Sequence, residues 1–443
     1  MGTVIQYCKK CVTPNTRPRI HFNEEGVCNA CLFAEKKKHS DWEAKEQALK
    51  NLVAECISQA KERQYDCVIP VSGGKDSHYQ TYYAKNILLL NPLCVTFIPF
   101  MPTEVGKKNL RNLIEAVGVD HISITPNPQI YAKLTRIMLE EHGDPFKPFL
   151  YGVFSGAARV AAEKKVPLFL YGENGETEYG GSEDGLYSKL DTKGVHARIQ
   201  SDRAKFKTPE EWVAYEVPLR QLTPFLEPPP EQIQNVRRIF MADYLPWNNN
   251  HHLHVALNVI GGFTLSETRT CGTYTHGSGI DDYLDEIYLW LTWPKFGYGR
   301  STKYAAKDIR EGKLTRERAK ELIRLYDGEF PWHMFDMMLE RLDMTESDFW
   351  AVVERHIGDE QNIQREWEEV GNSHLPKKVQ AWEKIGPYRW RHLNPIHGGE
   401  RILELPLKRP SQSELEKLKI SVLGQPPMME PTRGYQPVPG MGR

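Results

Sequence analysis

The residues best equipped for chemistry are Ser72-Gly73-Gly74-Lys75-Asp76-Ser77. Paired glycines let backbone N–H groups approach an anion closely and take dihedrals closed to other residues. Ser72 and Ser77 add hydroxyl donors, Lys75 adds charge, and Asp76 can hold a magnesium ion that bridges phosphates. A short apolar run, Cys67–Val71, precedes the glycines, and helix-competent sequence from Ser77 to Leu90 follows. A strand, a glycine turn and a helix start together present backbone donors to phosphate. The loop is not a Walker A motif, because Lys75 is followed by Asp76 rather than Ser or Thr. An ordinary glycine turn is the bland alternative, and the complete hexapeptide in this context argues against it.

A second group is Cys8-x-x-Cys11 with Cys28-x-x-Cys31, two knuckles at the spacing of a four-cysteine zinc site. Four thiolates leave no open coordination position, so the metal is structural and stabilises a segment too small for its own core. Iron, rubredoxin-like or in a cluster, is the other metal such a set can take.

Composition bounds the rest. The 443 residues suffice for two or three domains. The formal net charge of −1 supplies no global field toward nucleic acid or an anionic membrane. No apolar run approaches bilayer length, and the N-terminus shows no signal-peptide core, so a cytoplasmic protein with reduced thiols is expected.

Elements must position these groups. Asp41–Arg63 has the apolar spacing of one amphipathic helix. Strand-like runs at Cys67–Val71, Leu93–Pro99, His121–Thr125 and Pro167–Tyr171 alternate with helical stretches at Ser77–Leu90, Lys107–Val117, Pro128–Glu140 and Phe149–Lys164. That alternation predicts an α/β domain with a doubly wound parallel sheet, whose ligands bind beyond the carboxyl ends of the strands. Two polar loops meet the condition: Ser72–Ser77, and Gly172-Glu173-Asn174-Gly175-Glu176-Thr177-Glu178-Tyr179-Gly180-Gly181. The second contacts metal or substrate, or is a solvated acidic turn. Cys56, Cys67 and Cys94 lie in apolar runs and are expected to be core.

Periodicity fades from Gly185 to Thr223, and Leu226-Glu227-Pro228-Pro229-Pro230 is a stiff connector closing the α/β domain. Gln232–Tyr244 is expected to be a helix. Asn248–His254 carries three histidines but is expected to be a surface loop or helix start rather than a metal site. A helix at Asp285–Trp290 and four more between Ser301 and Val353 form a C-terminal helical domain. Basic residues prevail from Lys377 to Lys419, and Gly424–Arg443 suits an extended tail. Arg389-Trp390-Arg391-His392 suits a packing surface better than a nucleic-acid patch. The expected domains are a four-cysteine zinc ribbon at 1–40, an ATP-binding domain at 41–225, the helical domain at 226–375 and a basic segment with its tail at 376–443.

The hexapeptide resembles the PP-loop of the ATP pyrophosphatases, the adenine nucleotide α-hydrolase-like group. Taken with the knuckles, Gly172-Glu173-Asn174, Glu178-Tyr179-Gly180, Gly272-Thr273-Tyr274, Asp281-Asp282, Lys295–Arg300, Asp308–Lys313, Tyr326-Asp327-Gly328, Trp382-Glu383-Lys384 and Arg391-His392, it resembles the N-acetyl sugar amidotransferases of surface-polysaccharide and nonulosonate biosynthesis. The resemblance runs from about Tyr7 to about Asn394; nothing after about Leu403 matches it. It implies an ATP-dependent, AMP-forming amidotransferase that turns the acetamido group of a nucleotide-linked N-acetyl sugar into an acetamidino group. Adenylation of the amide oxygen makes a leaving group that ammonia displaces, releasing AMP and pyrophosphate. Ser72, Gly73, Gly74 and Ser77 then hold pyrophosphate, Lys75 adds charge and Asp76 holds Mg2+. Gly172 and Asn174 assist nucleotide binding. Glu173 and Glu178 join Lys75 and Asp76 in catalysis. Tyr179, Asp281, Asp282 and Arg300 face the sugar or its nucleotide.

A glutaminase needs an N-terminal cysteine or a cysteine on a Gly-x-Cys-x-Gly elbow. Residue 2 is Gly2, and Cys271 stands in Thr270-Cys271-Gly272. Ammonia is therefore expected from a separate glutaminase subunit, and the resemblance implies one with a cyclase-like barrel. Two other functions remain in view. A PP-loop tRNA-modifying thiolase would need further paired cysteines near the loop, and none pairs in sequence. A zinc-ribbon adaptor without activity fits poorly with an intact Ser72–Ser77 loop.

Overall fold

Cys67–Pro70 forms strand β1, with Cys67 and Ile69 packed into one apolar cluster and Val68 into another. Burial on both faces explains why the run is continuously apolar rather than alternating. The computed structural model describes residues 6–60, 63–181, 209–356, 383–384, 389–394, 399–404 and 407–414. Strands β2 (Pro92–Phe97), β3 (Asp120–Ile124), β4 (Leu168–Tyr171) and β5 (Arg237–Phe240) complete a parallel sheet in the order β3-β2-β1-β4-β5. The chain moves outward from β1 to β3, then returns to the far side of β1. A crevice opens between the carboxyl ends of β1 and β4, where the order reverses.

Seven α-helices fall in the first 181 residues among those described: α1 (Asn29–Lys38), α2 (Trp42–Gln59), α3 (Lys75–Tyr82), which runs on into a π-helical turn at Tyr83–Ile87, α4 (Glu104–Val117), α5 (Pro128–His142), α6 (Lys147–Glu163) and the short α7 (Gly175–Tyr179). Leu49 and Val53 of α2 and Tyr79 of α3 cover one face of the sheet, and Ala157, Ala158 and Ala161 of α6 cover the other. The sheet is doubly wound, as the alternation predicts. Local signals set the ends. Thr103 caps α4 by accepting from Gly106 N–H at 2.9 Å, so the helix begins three residues before the expected Lys107.

The helix expected over Gln232–Tyr244 is not found. Pro230–Ile233 makes one turn, Arg237–Phe240 is β5, and Met241–Asp243 is a 3-10 turn. Arg238 is 1% exposed and pairs with Glu227 at 3.3 Å, so the buried charge on this edge strand has an ionic partner. β5 thus joins the sheet from beyond the proline connector.

Helices α8 (Asn249–His254), α9 (Leu284–Phe296), α10 (Arg300–Arg310), α11 (Arg316–Tyr326), α12 (Trp332–Leu342) and α13 (Glu346–His356) follow. Trp290, Phe335 and Phe349 of this set share one apolar cluster with Phe97, Tyr131 and Leu134 of the sheet region. A second cluster seats Val12 and Ile20 of the knuckle segment on Ala305 of α10 and Leu322 of α11. Beyond them lies an antiparallel sheet of β6 (Glu383–Lys384), β7 (Arg389–Asn394) and β8 (Gly399–Glu404), where no strands were expected. Arg389-Trp390-Arg391-His392 lies on β7. The tail expected over Gly424–Arg443 lies outside the described residues.

Candidate functional site

The loop after β1 has the form that phosphate binding requires. Gly73 has φ +87°, and a Cβ there would stand 2.5 Å from the backbone nitrogen of Leu110. No side chain is tolerated, both for backbone conformation and for space. Ser77 Oγ accepts from Ser72 N–H at 3.1 Å, and Ser72 Oγ accepts from Gly74 N–H at 3.3 Å, so the two hydroxyls brace the bend. Gly74 caps α3, whose first-turn N–H groups at Lys75, Asp76 and Ser77 have no acceptor inside the helix and face the crevice end of the sheet. These are donors for an anion.

Asp76 is gripped from both sides. Lys75 Nζ lies 3.1 Å from its Oδ2, and His252 Nδ1 lies 2.6 Å from its Oδ1. Burial works against its charge, but Lys75 and His252 prevail and hold the carboxyl well below the usual range. His252 is completely buried, stacks on Tyr79 with ring centroids 4.1 Å apart, and meets Trp247 edge-on at 4.5 Å. Burial lowers its pKa while Asp76 opposes the shift; against a carboxylate, which only accepts, Nδ1 carries the proton and donates it to Asp76. Of the two readings of this segment the helix start holds: Asn248 caps the helix, and His251 and His252 are buried rather than at the surface.

The loop after β4 faces this grip. Tyr179 Oη donates to Glu173 at 3.0 Å. Lys307 of α10 reaches Glu173 at 3.4 Å and Asn249 at 3.2 Å, and both Lys307 and Lys303 lie 5.2 Å from the Tyr179 ring centroid. Burial pulls the Lys307 pKa down, while Tyr179, Glu173, Glu311 and Asp76 raise it further, so the ammonium is kept. Asn174 donates to Asp243 at 3.2 Å, and Ala242 N–H donates to Gly172 C=O at 3.1 Å, which fixes the loop on the segment after β5. Glu173 and Glu178 of the acidic loop are therefore partnered rather than freely solvated.

The remaining expected residues are spread out. Asp281 lies in hydrogen-bonding reach of the Ser72 hydroxyl and so belongs to the loop's surroundings. Asp282 is 4% exposed, and its Oδ1 accepts from Met101 N–H at 3.1 Å and Leu284 N–H at 3.0 Å. Arg300 is 3% exposed and donates to the carbonyls of Ser278 and Cys271, holding the 271–279 loop. Glu178 points the other way, toward Lys37 of α1.

Cys8, Cys11, Cys28 and Cys31 are buried, with all four sulfurs within 4.8 Å of one another. Cys11 and Cys28 sulfurs are 3.7 Å apart, and those of Cys8 and Cys31 are 3.9 Å apart. A single ion at metal–sulfur distances of about 2.3 Å sets tetrahedral edges of roughly 3.8 Å. The set therefore fits one tetrahedral ion. Among the described residues it is the one His, Cys, Asp and Glu group with metal-ligand geometry. The knuckles also grip the second loop. Arg17 donates to Gly180 C=O at 2.9 Å and Asn29 to Gly181 C=O at 3.0 Å.

His252, Asp243, Lys303 and Lys307 were missed in the sequence. Lys303 and Lys307 left a signal, since they recur one turn apart on a helix whose buried face is polar. His252 left none, because its partner is 176 residues away.

A doubly wound parallel sheet with Ser-Gly-Gly-x-Asp-Ser at the end of β1 is the arrangement that the PP-loop resemblance of the sequence implies. Residues 272–382 match the family described as LPS biosynthesis protein WbpG-like, C-terminal domain, in agreement with the surface-polysaccharide resemblance of the sequence. No curated protein matches the chain. Among solved structures it is similar to an NH3-dependent NAD synthetase from Campylobacter jejuni, with 16% identity over 44% of this chain and 91% of that one, at a TM-score of 0.25. An NMN synthetase from Francisella tularensis is 14% identical over 51% of this chain and 89% of its own, at a TM-score of 0.24. The U34-tRNA thiolase NcsA from Methanococcus maripaludis, with its [4Fe-4S] cluster, is 13% identical over 71% and 88%, at a TM-score of 0.27. At such scores these likenesses carry no functional argument. No helix among the described residues is long and apolar enough to cross a membrane.

Proposed function

We propose that this protein is an ATP-dependent, AMP-forming amidotransferase acting on a nucleotide-linked N-acetyl sugar. The observation that carries this reading is the facing of two loops across the β1–β4 crevice. One is a glycine bend with free helix-start donors; the other is a carboxylate–tyrosine–lysine set, Glu173, Tyr179 and Lys307. The WbpG-like match over 272–382 supports the substrate class.

An amide oxygen does not leave unaided. Its attack on the α-phosphorus of ATP forms an O–P bond, breaks the α–β bond and releases pyrophosphate. Ammonia then adds to the activated carbon, AMP departs, and loss of a proton leaves the amidine. The bend at Gly73-Gly74 and the first-turn N–H groups of α3 receive the departing pyrophosphate, and Lys75 and Lys307 offset charge growing at phosphorus. A magnesium ion held by Asp76 would neutralise phosphate charge there. Glu173, oriented by Tyr179, faces the acceptor and can take a proton from incoming ammonia.

Ammonia comes, in this reading, from a separate glutaminase subunit with a cyclase-like barrel. Cys271 is a poor nucleophile: burial, with Glu329 and Glu286 beside it, raises its pKa well above the ordinary thiol value. The test incubates the protein with ATP, magnesium, ammonium and UDP-N-acetyl sugars. Pyrophosphate release that depends on the sugar, with O replaced by NH in the product mass, is expected. Release independent of every sugar would remove the assignment, and glutamine-driven turnover by this chain alone would remove the separate subunit.

A further inference from the structure

A half-open cleft of about 240 Å3 lies between α1 of the knuckle segment and α10. Its aromatic walls are Phe33 and Trp42 on one side and Trp247 on the other. Four cations line it (Lys37, Lys38, Lys307 and Arg310) against two carboxylates, Glu178 and Glu311. The excess positive charge and flat apolar walls suit a ligand with both a planar ring and a multiply charged anion. Trp247 is 5% exposed, and its indole N–H, buried in this wall, has no hydrogen-bond partner. A buried donor without an acceptor costs stability unless a ligand supplies one.

The cleft communicates with the phosphate loop through two of its residues. Lys307 lines it and also reaches Glu173 and Asn249. Trp247 lines it and packs edge-on against His252, which holds Asp76. Lys307 also acts electrostatically on Asp76 of the Ser72–Ser77 loop.

We propose that this cleft holds the nucleoside diphosphate of the acceptor, which rests on the reading of that acceptor as a nucleotide-linked sugar. The diphosphate lies on Lys37, Lys307 and Arg310, and the base lies against Phe33 and Trp42. The sugar then projects toward Glu173 and the phosphate loop. The four-cysteine knuckle segment, through α1, forms half of an acceptor site in addition to stabilising the chain. ATP occupies the other side of Lys307 and does not compete.

Calorimetry with UDP, GDP and dTDP on the full-length, metal-loaded protein, without ATP, tests this. At least one diphosphate should bind, and its monophosphate should bind about tenfold more weakly. Trp42→Ala should weaken that diphosphate about tenfold or more. Lys38→Glu should weaken it severalfold; the Lys38 side chain is 61% exposed, so folding is not in question. Absence of binding by all three diphosphates, or affinity indifferent to both substitutions, overturns the cleft assignment. The reaction is judged separately. Diphosphate binding that depends on the cleft, without amidation of any sugar, sinks the reaction and keeps the site. Amidation with cleft-independent binding does the reverse.

Discussion

His252 Nδ1 stands 2.6 Å from Asp76 Oδ1, joining a helix after the sheet to the first turn of α3. The imidazole is a positioning group that fixes which way the carboxylate faces. Partners of a metal-holding carboxylate typically matter by about 10–100-fold in metal affinity or activity. His252→Gln should raise the magnesium concentration needed for half-maximal turnover by that order, with the ATP KM little changed. A magnesium titration decides; an unshifted midpoint removes the role.

Gly73→Ala should abolish nucleotide binding. The added Cβ meets the Leu110 backbone, which cannot swing aside as a side chain can, and φ +87° is strained for alanine. Strain of this kind costs about 1–3 kcal/mol before any clash is counted. Loss of ATP binding by calorimetry, with a lowered Tm, is expected. Wild-type ATP affinity in this variant would contradict the loop geometry.

Asp282 predicts a pH dependence. Burial, first of all, pushes its pKa up to about 7, and its Oδ2 has no hydrogen-bond partner. The unfolded carboxyl ionises near about 3.9. Between those values the folded state binds more protons than the unfolded state, so this group's contribution falls as pH rises from about 4 to about 7. The cost is complete above pH 7 and amounts to at most about 4 kcal/mol. Asp282→Asn keeps an acceptor for Met101 and Leu284, so its Tm should exceed wild type at pH 8, with the gap closing near pH 4. Denaturation at both pH values checks this, and an equal gap at both refutes it.

Removing the metal should loosen a site the metal never touches. Arg17 and Asn29, carried by the knuckle segment, hold the carbonyls of Gly180 and Gly181. Chelation, or Cys11→Ser, should speed amide hydrogen exchange across residues 175–181 beyond the change in β2. Exchange limited to residues 8–31 would leave the metal with a purely local part.

Much of this was legible because the chemistry is local. Three of the four strands from Cys67 to Tyr171 are dense apolar runs, the outer strand β3 alternating instead, and the glycine bend needs only neighbours in sequence. β5 was hidden: Arg237 and Arg238 interrupt its pattern, and burial of Arg238 becomes intelligible only once Glu227 is beside it. The set Glu173, Tyr179 and Lys307 was half legible. The loop announced its carboxylates, but the lysine that faces them comes 134 residues later. Asp282 and Arg300 show the converse, since polar residues in a motif can be committed to the backbone around them.

The knuckles carry one more consequence. Their apolar side is covered by Ala305 and Leu322, and Arg316 binds the carbonyl of Cys11 across 305 residues. During translation the cysteines emerge first, while the surface that shelters them has not yet been made. The four thiols therefore precede their shelter in synthesis by nearly three hundred residues, so yield is expected to depend on the metal supply and thiol oxidation state of the host.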